Sequence, residues 1–164
     1  MGFREILEFV RVEHTLFSLP FVLIGFVIAD NQFGTEYLDL VWIIAAAIGA
    51  RGLAMALNRI VDRDIDAENP RTASRHLPSG AMSMSSAWIL AASFLGVLLF
   101  SAWKLNEVAL KMAWLPVLTF VVYPFTKRIS WICHFWIGFC LALAPAGAWV
   151  ATVSYTHLTL PTKA

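Results

Sequence analysis

Charge is what this sequence has least of. Asp, Glu, Lys and Arg make up 14% of its 164 residues, against about a quarter in soluble domains. So little charge excludes an ordinary water-soluble globule, because a fold of this size has too little interior to hide the apolar remainder. The two signs nearly cancel, with a formal net charge of +1, so no bulk electrostatics point to nucleic acid or to an acidic partner. Cysteine is almost absent. Cys133 and Cys140 stand seven apart within an apolar run, on one helix face but roughly 10 Å apart along the axis. That separation excludes a disulfide between them, and both read as small buried hydrophobes. The four histidines, His14, His76, His134 and His157, are scattered, which excludes a clustered zinc site. A cleavable leader is also missing. The N-terminal stretch MGFREILEFVRVEHTLF carries acids and Arg11 where an uninterrupted apolar region is required, so the first apolar segment reads as a retained span.

What is present in abundance is apolar sequence, 59% of all residues with a mean hydropathy of +0.71. Five stretches approach the roughly 20 residues needed to cross a bilayer. They run from about Thr15 to Ala29, Leu40 to Ile60, Ser86 to Trp103, Val108 to Phe125 and Trp131 to Thr152. The fold class expected is therefore all-α, a polytopic transmembrane helical bundle with the lipid bilayer as its solvent. Alanine and glycine crowd the second and fifth stretches, predicting helices packed closely on their neighbours. Trp42, Trp88, Trp103, Trp131 and Trp149 fall near span ends, where indole rings favour the interface. Loops on one side hold Arg4, Arg11, Arg59, Arg63, Arg71, Arg75, Lys127 and Arg128, whereas those on the other hold only Lys104, Lys111 and Lys163. The positive-inside rule then makes the N-terminus and the loop from Asp62 to Ser85 cytoplasmic. In a bacterial cell this predicts the inner membrane. From Ser154 onward the polar SYTHLTLPTKA matches no earlier pattern. It reads as a disordered tail or as foreign sequence appended to a membrane domain that occupies residues 1–153.

Chemistry concentrates between Ala50 and Gly80, in ARGLAMALNRIVDRDIDAENPRTASRHLPSG. Asn58, Asp62 and Asp66 are spaced by four. On a helix each such step overshoots one turn by about 40°, so the three side chains make one polar stripe, with Arg51 two turns below on nearly the same face. Asp64 points elsewhere. Two carboxylates and an amide at this spacing repel unless a cation lies between them, and at a span end the stripe is costly without a function. Hard oxygen ligands of this kind suit Mg²⁺, completed by phosphate oxygens and water. The plainer alternative is that Asp62 and Asp66 are solvated and pair along the helix surface with Arg59 and Arg63. Pro70 ends the helix and Pro78 with Gly80 makes a turn, leaving Arg71 and Arg75 placed to fork onto phosphate oxygens. A second cluster, Tyr123, Lys127 and Arg128 in YPFTKR, falls at the same membrane face. Its alternative role is topological anchoring, which needs no tyrosine.

At these residues the chain resembles the UbiA superfamily of membrane prenyltransferases. NRIVDRDID is similar to that family's first aspartate-rich motif. VEHTLFSLPF, NPRTASRHLPSG, YPFTKR and LAPAGAW are similar to the 4-hydroxybenzoate polyprenyltransferase-like branch, including the futalosine-pathway menaquinone enzymes. The resemblance covers about Phe9 to Val153. It implies a nine-span helical fold, of which about five spans are present here, with two aspartate motifs holding Mg²⁺ on a polyprenyl diphosphate. The activity implied is transfer of the polyprenyl group to an aromatic acceptor of the 4-hydroxybenzoate or dihydroxynaphthoate type, in ubiquinone or menaquinone biosynthesis. By position, Asn58, Asp62 and Asp66 would hold the metal, with Asp62 and Asp66 the acids on which catalysis depends. Arg75, Tyr123 and Lys127 would contact the diphosphate. Arg11, Arg51, Arg71 and Arg128 are further candidate contacts for phosphate or for the aromatic acid. One departure matters: no second Asp-xxx-Asp motif occurs in the chain, so the sequence is expected to be truncated and inactive alone.

Two other functions share parts of this pattern. A phosphatidyltransferase of the CDP-alcohol type also places aspartates at a span end, but its signature needs glycines among the acids, and NRIVDRDID has none. Half of an ion-coupled transporter would use intramembrane acids, near the midplane on broken helices. A structural membrane fragment without activity is the remaining option.

Overall fold

The computed structural model describes residues 3–33, 36–126, 128 and 131–153. All regular structure among them is helical: α1 (Phe3–Val10), α2 (Val12–Phe33), α3 (Tyr37–Val61), α4 (Arg63–Glu68), α5 (Met84–Leu105), α6 (Glu107–Met112), α7 (Trp114–Thr126) and α8 (Ile132–Val153). The all-α bundle read from the hydropathy pattern is what forms. Four segments are long and apolar enough to cross a membrane: Tyr37–Val61, Met84–Leu105, Glu107–Thr126 and Ile132–Thr152. The first of the five expected spans differs. Helix α2 has 22 residues with Pro20 inside it, and its apolar stretch among the described residues is Phe17–Gln32. The fourth span is α6 and α7 in succession, separated at Ala113, whose N–H donates to the Leu110 carbonyl three residues back at 3.2 Å. Pro116 has no N–H to offer the Met112 carbonyl, so the helical ladder is interrupted here.

Helix α3 is the axis of the bundle. Its 25 residues reach about 37 Å at the helical rise, and it touches α2, α5, α7 and α8 as well as α1. Small residues permit this. A Cβ on Gly49 would lie 2.8 Å from the Leu98 backbone nitrogen and 3.0 Å from the Phe94 carbonyl oxygen, so α3 and α5 meet backbone to backbone. Gly25 does the same for α2 and α8, where a Cβ would sit 2.6 Å from the Pro145 carbonyl oxygen. Without a hydrophobic effect between helices in lipid, such close van der Waals approach is a main source of association.

The buried side chains form two clusters along the bundle. One joins α1, α3, the loop after α4 and α5 through Phe9, Leu53, Leu57, Ile60, Leu77 and Ala91. The other joins α2, α3, α5 and α8 through Val22, Phe26, Ile43, Leu105 and Ala148. Large apolar side chains also line the outside, among them Phe17, Ile89, Phe100 and Phe135, as expected where the surrounding solvent is lipid. Trp88, Trp103 and Trp131 are exposed near helix ends, and Lys104 lies over the Trp103 ring, 4.8 Å from its centroid. Residues 154–164, read as a polar tail, lie outside the described residues.

Candidate functional site

The acidic stripe forms, but not on one unbroken helix. Helix α3 stops at Val61, and Asp62 takes φ −90°, ψ 5° before α4 begins, a sparsely populated conformation common at working sites. The four-residue hydrogen bonds nevertheless continue through the break. Asp62 N–H donates to the Asn58 carbonyl at 3.1 Å, and Asp66 N–H to the Asp62 carbonyl at 2.7 Å. Asn58, Asp62 and Asp66 therefore remain stacked. Asp62 and Asp66 are each only 8% exposed, whereas the Asp64 side chain is 94% exposed and meets Arg63 at 3.7 Å. Among the described residues no ion pair joins these two acids to Arg59 or Arg63, although Asp66 lies near enough to Arg59 to act on its charge.

Their partners come instead from distant sequence. Arg75 Nη1 donates to Asp66 Oδ2 at 2.6 Å, and Arg128 Nη2 stands 4.0 Å from Asp62 Oδ1 while donating to the Val61 carbonyl at 3.3 Å. The loop that delivers Arg75 is a run of turns rather than loose chain. Asn69 closes α4 in the extended conformation that a following Pro70 imposes. Thr72 Oγ1 donates to the Asp66 carbonyl at 2.9 Å, and Arg71 N–H to Asn69 Oδ1 at 3.0 Å. Gly80 supplies the one turn with φ of +76°, and Ser83 then caps α5 by accepting from the Ser86 N–H.

Arg11 reaches the same region from the junction of α1 and α2. Its φ of +50° is a left-handed conformation rare for a residue with a side chain, costing on the order of 1 kcal/mol. With Arg71 and Arg75 it lines a polar cavity of about 850 Å³ that Asn58 also borders. Arg51 lies deeper in α3, on a separate, mostly apolar cavity of about 340 Å³ that also meets Ala50, Leu98, Phe120 and Cys140. The Arg51 Nε is buried there without a hydrogen-bond partner among the described residues. Tyr123, half-buried on α7, is close enough to interact electrostatically with Asp62 and Arg51. Lys127 lies outside the described residues. One side chain that lines the cavity is missed by sequence reasoning. Arg59, read there only as a surface ion-pair partner, is 5% exposed and lines the polar cavity beside Arg75. The only signal for it is that it adjoins Asn58 on a helix flanked by the apolar face of α1.

The donor set fits a divalent metal that a ligand completes. Among the described residues no three His, Cys, Asp or Glu side chains gather as metal ligands, so a closed protein cage is not formed there. Two carboxylates and an amide offer hard oxygens, and Mg²⁺ typically takes one or two carboxylates with phosphate oxygens and water. The positions of Asp62 and Asp66, after the last residue of a membrane-length helix rather than within it, give the transporter arrangement no support.

Comparison with known proteins identifies the family. The profile of the UbiA prenyltransferase family matches residues 18–162. A 4-hydroxybenzoate octaprenyltransferase from Coxiella burnetii is 30% identical over 112 residues, 68% of this chain and 39% of its own length. A polyprenyl transferase from Arthrinium sp is 36% identical over 96 residues, 57% of this chain and 30% of that protein. Among solved structures, the apo form of a UbiA homolog from Aeropyrum pernix K1 superposes with a TM-score of 0.82 at 37% identity, covering 88% of this chain and 52% of that one. A UbiA homolog from Archaeoglobus fulgidus bound to GPP and Mg²⁺ shares the fold, with a TM-score of 0.71 at 22% identity over 96% of this chain and 56% of the other. The chain thus spans about two fifths of the length of the octaprenyltransferases it matches.

Proposed function

Because the chain belongs to the UbiA prenyltransferase family, and is an integral membrane protein by that membership and its four membrane-length helices, we infer that it supplies one wall of a polyprenyl-transfer site. The reaction is Mg²⁺-dependent transfer from a polyprenyl diphosphate to an aromatic acid of the 4-hydroxybenzoate or dihydroxynaphthoate type, within quinone biosynthesis. Residues 1–153 form the catalytic half-domain, in the inner membrane with the N-terminus cytoplasmic. The observation that carries this reading is the juxtaposition of a buried acidic stripe with a ring of arginines above an apolar cavity between the helices.

Each part has a role in that chemistry. Asn58, Asp62 and Asp66 would hold Mg²⁺, which when bound would neutralise charge on a diphosphate and make it a better leaving group. Arg75, which pairs with Asp66 at 2.6 Å, would donate to phosphate oxygens together with Tyr123 and Lys127. Arg71 and Arg128 add positive potential at the rim. The apolar cavity holds the prenyl carbons and keeps water from the reacting carbon. Among the described residues Arg51 is the one fixed positive charge bordering it, suited to the carboxylate of an aromatic acid.

The test is transfer from a radiolabelled polyprenyl diphosphate to each acceptor. It is run on the purified chain alone and with the C-terminal half of a relative supplied as a separate chain. Silence alone and Mg²⁺-dependent product in the presence of the second half are expected. No product with either acceptor, when the two halves are shown to associate, would refute the reading.

A further inference from the structure

The far end of the apolar cavity is a wall that apolar packing alone does not hold. From Arg51 the cavity follows α3 past Ala47 to Ile43, roughly 12 Å at the helical rise. Helix α5 runs antiparallel to α3, with Phe94 against Gly52, Leu98 against Gly49 and Phe100 against Trp42. Leu105, the last residue of α5, therefore lies at the opposite end of the bundle from Asn58 and Asp62. There it lines the cavity with Ala109 of α6 and with Val150 and Ala151 of α8. Leu105 and Ala151 are buried, so the cavity stops at them. Helix α6, however, buries none of its own residues, and little apolar burial means little to keep it there. Asn106 supplies a tie of another kind. Its Nδ2 donates to the Ala151 carbonyl at 2.7 Å and to the Val150 carbonyl at 3.4 Å, while its Oδ1 accepts from the Ala109 N–H at 2.6 Å. Its own N–H donates to the Ala102 carbonyl at 3.1 Å. One side chain and its backbone thus join α5, α6 and α8.

We propose that Asn106 is a positioning residue that fixes this end wall and so sets the longest prenyl chain the cavity accepts, a role that rests on reading the cavity as the prenyl site. The two ends of the amide do different jobs. The oxygen caps α6, as asparagine does at many helix starts. The nitrogen reaches 45 residues along the chain to the last turn of α8, where a helix presents carbonyls outward. Capping needs only the oxygen, whereas the nitrogen acts on the spacing of α6 and α8. That spacing decides depth here because the wall is built of small side chains, Ala102, Ala109, Ala148 and Ala151. Where side chains are this short, the place at which the room ends is set by the backbones. A chain with its diphosphate at the acidic stripe extends toward this wall, and its last carbons meet α6.

Asn106→Asp separates the two jobs. Aspartate caps a helix as well as asparagine does, but an ionised carboxylate has no hydrogen to donate to the α8 carbonyls. Asn106→Ser keeps a capping oxygen and is too short to span to α8. Each chain, combined with the C-terminal half of a relative, is given Mg²⁺ and geranyl, farnesyl, geranylgeranyl or octaprenyl diphosphate in turn. In the wild type kcat/KM should fall by at least about 10-fold at the first chain that overruns the wall, the scale of one misfitted apolar group. Both variants should move that fall to a longer chain and leave geranyl transfer nearly unchanged. Ala109→Leu, which thickens the wall, should move it to a shorter one. A second readout needs no catalysis: farnesol, geranylgeraniol and octaprenol are added to the chain alone in nanodiscs, and the melting temperature is followed. Stabilisation should rise with length up to the wall and continue further in Asn106→Asp. Equal transfer of every length by the wild type, or one unchanged profile in both folded variants, would overturn the proposal and leave Asn106 a helix cap. So would a uniform loss at all lengths, or failure of both variants to fold by circular dichroism, since either makes Asn106 a residue of stability only. If associated halves transfer nothing while the alcohol limit still shifts in Asn106→Asp, the functional reading falls and the wall stands.

Discussion

Removing Arg75 should damage the fold more than removing the charge it pairs with, and Mg²⁺ should repair only the first injury. Arg75 Nη1 lies 2.6 Å from Asp66 Oδ2, with the Asp66 side chain 11% exposed and that of Arg75 30% exposed. A solvated surface pair contributes about 0–1 kcal/mol, while breaking a fully buried one costs about 3–5 kcal/mol because a charge is stranded. This pair lies between those limits and is lopsided. Arg75→Gln strands the deeper carboxylate, near a second one at Asp62, and should cost about 2–3 kcal/mol. Asp66→Asn strands a guanidinium that can turn to water, so about 1–2 kcal/mol is expected. For a chain of this size the first corresponds to a fall of about 5–10 °C in melting temperature, read by thermal unfolding in detergent. Mg²⁺ at about 100 times its dissociation constant adds about 2.7 kcal/mol. In Arg75→Gln that cation replaces the lost one and restores most of the melting temperature. In Asp66→Asn a ligand is gone and little is restored, and in the wild type Arg75 competes with the ion. Equal stabilisation of all three proteins by Mg²⁺, or none in Arg75→Gln, would refute the assignment of Asp66 as a metal ligand held in reserve by Arg75.

Three further outcomes are expected. With the second half supplied, Asp62→Asn or Asp66→Asn should reduce Mg²⁺-dependent transfer by at least about 100-fold, the scale of lost electrostatic stabilisation elsewhere; Asp64→Asn, with its side chain in solvent, should be mild, and equal losses at all three positions would undo the stripe argument. Gly49→Ala should lower the melting temperature through a clash costing about 1–3 kcal/mol, because its Cβ meets the α5 backbone, whereas Gly96→Ala, with open space around it, should be neutral or stabilising. After replacement of Cys133 and Cys140, single cysteines at Gln32 and Ser74 should label from opposite faces of the membrane, Ser74 from the cytoplasm; labelling from one face would contradict the orientation.

Much of this molecule can be read without coordinates because the bilayer leaves a chain few choices. Long, mostly apolar runs must close their own backbone hydrogen bonds in lipid, so Leu40 to Ile60, Ser86 to Trp103 and Trp131 to Thr152 are legible as helices. The four-residue spacing of Asn58, Asp62 and Asp66 likewise places them on one stripe, and that stacking survives even the break at Asp62 because the intervening hydrogen bonds persist. The α6–α7 interruption at Ala113 was not anticipated, since its cause, Pro116, lies inside an otherwise continuous apolar run.

Local periodicity alone determined the helices, their small-residue faces and the candidate acids, because each depends on neighbours within a turn or two. Partnership was decided only by the tertiary structure. Sequence offers Arg59 and Arg63 as the partners nearest to Asp62 and Asp66, yet the carboxylates meet Arg128 and Arg75, one of them brought from the far end of α7. Arg59 looked like a solvated surface charge because nothing within a turn of it says that α1 folds back over the end of α3. Burial there comes from contacts across some fifty residues of chain, from Phe9 to Leu57 and Ile60. Which charges are paired, and which are buried against a cavity, depends on the packing of segments remote in sequence, and no spacing rule encodes that.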